Sequence, residues 1–99
     1  MLKHVVCWKI ADADSVESLD VIGRIEDGLR SLVGTVPSIR ALDVGPSVLT
    51  GPNHWDLALI VDFDNEAGLE EYQVHPEHQK VGAYIRSVVS EQATVDFIV

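Results

Sequence analysis

Residues 2–10, LKHVVCWKI, form an apolar, β-branched and aromatic run, which predicts a strand. The turn-like ADADS follows, and the apolar period then changes. Val16, Leu19, Ile22, Ile25, Leu29, Leu32 and Val33 recur at helical spacing. Asp14 followed by Glu17 resembles a capping box for this helix. Gly34, with Pro37 just beyond, marks its end. SIRALDVG (38–45) reads as a second strand, PSVLTGPN (46–53) as a loop, and HWDLALIVDF (54–63) as a third strand. Asp64 or Asn65 caps a short helix that runs to residue 74. Pro76 then opens a second helical segment, because proline suits a first helical position and drives the residue before it out of the α region. ATVDFIV (93–99) is a final strand. The order β-α-β-β-α-β predicts an α+β fold, with one antiparallel sheet and its helices on one face.

The first and third strands carry a further signal. VVCW and LALIV are apolar at consecutive positions, so both faces of those strands need cover. Helices on one side leave the other face bare, and a second copy of the chain is the cheapest cover. A homodimer through the helix-free sheet face is therefore expected. Val5, Cys7, Ala58 and Ile60 should lie on that face, with Asp56 and Asp62 at its rim. His4, Val6, Trp8, Leu57 and Leu59 have the opposite phase and should face the helices.

Composition narrows the function. A chain of 99 residues fits one domain, residues 1–99, and 46% hydrophobic content supports a folded core. The net charge of -9, with only 7 Lys and Arg, argues against nucleic acid and against an anionic membrane surface. No stretch approaches the ~18–20 apolar residues of a membrane span. MLKHVVCWKIADAD turns acidic too soon for a signal peptide, so a cytoplasmic protein is expected. The single cysteine, Cys7, rules out a disulfide within the chain and reads as a buried, inert thiol.

The candidate chemistry lies in EYQVHPEHQKV, residues 71–81. A helix from Pro76 places His78, Val81, Gly82, Ile85, Val88 and Val89 on one apolar face, turned toward the sheet. His78 then sits near a helix N-terminus, which disfavours imidazolium and leaves a neutral base or acceptor. Leu69 and Tyr72 form an i,i+3 pair on the preceding segment and point Tyr72 into the same space. A tyrosine and a neutral histidine on an apolar cavity make a proton-transfer pair. His4 joins them from the first strand, and Trp8, Leu59, Val81 and Val89 complete an apolar wall for a small ligand. The alternative is that His4 and His78 are core histidines bonded to backbone or to Tyr72. No metal is expected, because Pro76 separates His75 from the face of His78 and no further ligand stands at zinc spacing. No cofactor is expected either.

YQVHPEHQKV, together with WDLALIVDFDNEAGLE, LVGTVPSIRALDVG, KHVVCWKI and VDFIV, closely resembles the stress-responsive dimeric α/β-barrel (Dabb) family over essentially the whole chain. The resemblance implies a ferredoxin-like protomer that pairs into a dimeric α+β barrel. It also implies roles for site residues. Polyketide-cyclase members of the family use a tyrosine and a histidine of this motif, and these positions carry over to Tyr72 and His78. A first-strand histidine carries over to His4. This chain has Leu57 where those enzymes present a pocket histidine, so its pocket is less polar. Two classes of function follow. One is cyclase-like or other acid–base lyase chemistry on a small carbonyl-bearing molecule. The other is a non-catalytic stress-response or structural dimer with a filled core.

Overall fold

A computed structural model describes residues 1–99. β1 (Leu2–Ile10) is followed by α1 (Ser18–Arg30), β2 (Ala41–Pro46) and β3 (Leu57–Phe63). α2 (Glu66–Val74), α3 (Pro76–Val88) and β4 (Val89–Ile98) complete the chain. The four strands form one antiparallel sheet in the order β2-β3-β1-β4. This is the expected ferredoxin-like α+β arrangement, with the second helical region broken in two at His75.

Alternation along β1 sorts the two faces of the sheet. Leu2, His4, Val6, Trp8 and Ile10 are buried, and the residues between them are only half-buried. Leu57, Leu59, Val61 and Phe63 of β3 share the buried face. Ile25 and Leu29 of α1, Tyr72 of α2 and Ile85 of α3 pack onto them in one core cluster. All three helices therefore cover the face that carries His4 and Trp8. Burying side chains of this size is worth about 1.5–3 kcal/mol each, which makes this layer the main stabilising term of the protomer.

Helix α1 begins later than its periodicity suggests. Residues 11–17 form successive turns ahead of it, with Ser15 N–H donating to Asp12 O and Ser18 N–H to Ser15 O. Glu17 is the N-cap and makes no side-chain capping bond, so the Asp14–Glu17 box does not form. Val16 and Leu19 are 98% and 79% exposed and do not extend the buried stripe. At the other end the chain tightens after Arg30 into i→i+3 bonds before Gly34. Gly34 adopts φ 86°, a left-handed conformation that glycine takes without penalty.

Three strand boundaries also move. β2 starts at Ala41 rather than residue 38, and Ser38 instead donates its hydroxyl to Gly68 O at 2.8 Å. β3 starts at Leu57. The preceding Asp56 clamps the sheet end, accepting Ile10 N–H at Oδ2 (2.8 Å) and donating its own N–H to Trp8 O (2.9 Å). β4 starts at Val89, directly at the end of α3. Val89 has φ -105° and ψ 151°, so it is strand and not helix, and it leaves the helical face assigned to it by periodicity.

Candidate functional site

Two helix starts set the geometry. Asn65 caps α2, its side chain accepting Gly68 N–H at 3.0 Å. The helix then carries Tyr72 inward, where it is 1% exposed. His75 leaves the helical region with ψ 132°, as expected for a residue before proline. It caps α3 by accepting Glu77 N–H at Nδ1 (3.1 Å). His75 is thus committed to the backbone. One turn later, His78 reaches the same space as Tyr72 from the other side of the break.

The Tyr72 and His78 rings lie 4.1 Å apart between centroids. Phe63 at 5.2 Å and His4 at 6.1 Å surround the tyrosine. The rings border a cleft of 240 Å³. His4, Val6, Trp8 and Leu59 form its floor, and Leu29 and Ile85 close it from α1 and α3. Gln73, Gly82 and Arg86 complete the helical wall, and Gln92 and Thr94 of β4 line the remaining side. A larger depression of 530 Å³ opens between α2 and β4. It holds Glu66, Glu70 and Asp96 but no histidine, so it lacks a neutral base. No group of three or more His, Cys, Asp or Glu side chains is arranged to hold a metal ion.

Protonation follows from the partners. The His78 Nδ1–H donates to Gln73 O at 3.3 Å, since a carbonyl can only accept. Nε2 therefore keeps its lone pair. Burial pushes the His78 imidazole below its ordinary value. The Gln73 carbonyl opposes this, and the nearby Arg86 guanidinium adds to the lowering. Burial pushes the Tyr72 phenol up, so it stays un-ionised. No fully enclosed polar side-chain atom lacks a partner, and the Tyr72 hydroxyl bonds to no other group of the chain, so it opens onto the cleft.

His4 donates Nδ1–H to Asp96 Oδ1 at 2.5 Å, across the β1–β4 pair. The Trp8 indole N–H donates to Gln92 Oε1 at 2.9 Å. Strand β4 thus orients both floor residues. The structure brings together Tyr72, His78, His4, Trp8 and Leu59. It places Val81 and Val89 elsewhere. Val81 packs on α1, where a β-carbon at Gly28 would lie 3.3 Å from its Cγ1. Val89 pairs with Ile10 at the sheet end.

The sequence profile of the Stress responsive A/B Barrel Domain, Dabb, matches residues 2–99. The chain belongs to the Dabb family. An uncharacterized protein of Streptomyces coelicolor is 27% identical over 79 residues, 80% of each chain. A dimeric ferredoxin-like protein of unknown function from Bacteroides fragilis superposes with a TM-score of 0.85 at 31% identity, covering 97% of this chain and 93% of that one. A hydroxynitrile lyase from Passiflora edulis superposes with a TM-score of 0.82, covering 99% and 92%. At 15% identity that likeness is one of fold. Within the Dabb fold of this chain, the residues missed by sequence reasoning are Gln73, Arg86, Gln92, Thr94 and Asp96. The last three had a legible signal. They occupy alternate positions of β4, so they share one strand face.

Proposed function

We propose that this Dabb protein is a homodimer that binds a small apolar, carbonyl-bearing molecule beside Tyr72 and His78 and moves a proton on it. The observation that carries this reading is a neutral imidazole and an un-ionised phenol, 4.1 Å apart, on one cleft. A proton on carbon next to a carbonyl becomes acidic when the carbonyl oxygen is polarised. The Tyr72 hydroxyl, free of other partners, supplies the hydrogen bond to that oxygen. His78 Nε2 supplies the base. His4, anchored by Asp96, offers its own Nε2 at the floor, and Trp8 and Leu59 hold the apolar part of the ligand. The Passiflora edulis protein of this fold is a lyase by name, which supports acid–base chemistry on the scaffold. Homodimerisation is supported by solved structures of the same fold that are dimeric.

A neutral probe tests occupancy. Titration with 2-hexanone should shift the Trp8 indole and His78 ring signals in NMR spectra. The Trp55 indole, outside the cleft beside Lys9, should stay in place. Saturating ketone without movement at Trp8 or His78 would refute a ligand site here.

A further inference from the structure

Six of the seven basic side chains are neutralised by a carboxylate. Lys3, Lys9 and Arg24 pair with Asp62, Glu91 and Asp20. Arg30, Arg40 and Lys80 pair with Glu26, Asp64 and Glu77. Arg86 alone has no such partner. In a chain with 16 Asp and Glu against 7 Lys and Arg, an unpaired cation is the exception. Its position is equally specific. Arg86 lines the cleft, and no Asp or Glu does.

The helix makes room for this guanidinium. His78, Gly82 and Arg86 stand four residues apart on α3 and form one stripe. A β-carbon at Gly82 would lie 3.2 Å from Arg86 Nη1. The arginine therefore folds back over Gly82, toward the histidine, in close contact with the bare glycine backbone. Its charge reaches His78, where it helps to hold the imidazole neutral. Of the other polar residues lining the cleft, Gln73, Gln92 and Thr94 are uncharged and can bond to either sign.

We infer that the cleft selects an anionic ligand, with Arg86 binding its carboxylate while Tyr72 and His78 face its carbonyl. The inference rests on the binding reading above and narrows its carbonyl-bearing ligand to small oxo-carboxylates whose remaining part is apolar. A planar guanidinium matches a carboxylate with two parallel hydrogen bonds. A single cation, with no second one beside it, suits a monoanion better than a phosphate dianion. The net charge of -9 repels anions elsewhere on the surface, so an anion entering this cleft needs Arg86.

Hexanoate and hexanamide, matched in shape, separate charge from fit. Both are titrated against the intact protein while the Trp8 and Trp55 indole signals are followed. Hexanoate should bind at Trp8 more tightly than hexanamide. Arg86→Met should weaken hexanoate about tenfold or more, the loss expected for a hydrogen bond to a charged group, and leave hexanamide unchanged. Arg86→Lys should recover part of the loss. Equal affinity for the two probes, or a loss of both in Arg86→Met, would overturn the anion inference while leaving the cleft a binding site. A shift at Trp55 alone would place the carboxylate at Lys9 and overturn it too. No response at Trp8 to either probe would overturn both this inference and the binding reading.

Discussion

Val95→Asp is expected to turn the proposed dimer into a monomer. On the helix-free face, Val5 lies between Ile60 and Val95 in one cross-strand row, and Cys7 lies between Ala58 and Ala93 in the next. The Lys3–Asp62 and Lys9–Glu91 ion pairs, at 2.8 and 3.0 Å, stand on either side of these rows. An apolar centre with a charged rim is the anatomy of a protein interface. Val95 is 61% exposed in the single chain. An aspartate there costs the lone protomer about 1 kcal/mol or less in strand preference. In a dimer closed over this face the carboxylate loses its water and finds no cation, at a cost of several kcal/mol. Dissociation should become about 100-fold easier or more. Light scattering at micromolar concentration reads the outcome, with circular dichroism showing that the fold survives. A variant that stays dimeric would show that the copies meet through another surface, such as the helices.

Tyr72 separates structure from chemistry. Tyr72→Ala should cost about 3–5 kcal/mol, because it removes a ring packed among Phe63, His4 and His78 and the core can close over the gap only in part. Against a total stability of about 5–15 kcal/mol, that brings the protomer close to unfolding. Tyr72→Phe should differ from the parent by no more than about 0.5 kcal/mol, since the hydroxyl it removes bonds to nothing in the chain. Urea denaturation measures both. A loss of about 1–3 kcal/mol in Tyr72→Phe would identify the hydroxyl as a buried structural donor and remove it from the proposed chemistry.

Much of the architecture was readable in the chain, and the misses have physical causes. The split of faces along β1 and β3 follows from strict alternation, which a packed sheet enforces at every second residue. The Pro76 break follows from proline's missing N–H and its steric effect on His75. The start of α1 was not readable. Val16 and Leu19 keep helical spacing yet stay exposed: Val16 lies in the turns at residues 11–17, and Leu19 stands on the first turn of α1, outside the buried stripe. Val89 keeps helical spacing as well, but strand pairing with Ile10 captures it. The site divides in a similar way. Tyr72, His78 and His4 stand out as polar residues on apolar faces. Arg86 does not, because an arginine on a helix is usually a solvated side chain. Its significance depends on where the six ion pairs fall, and pairing across the fold is not written in local sequence. Gln92, Thr94 and Asp96 show the reverse case. Their apolar neighbours Ala93, Val95 and Phe97 face away from the helices, so the polar phase of β4 was the inward one.

The most direct test of the site is solvent deuterium uptake by 2-hexanone at the carbons beside its carbonyl, followed by NMR in heavy water. The parent protein should accelerate uptake above the buffer rate. His78→Ala should lose about 100-fold of that acceleration or all of it, the share expected for a positioned general base, and should keep the assembly state of the parent. Tyr72→Phe should be slower than the parent. The dependence on acidity follows from the environment of His78. Burial holds its imidazole below the ordinary value, so the base is already free at neutral pH. The enzymatic rate should stay level above neutral pH and fall as acid protonates Nε2. Acceleration that survives in His78→Ala, or a parent protein no faster than buffer, would contradict a proton-transfer site at Tyr72 and His78.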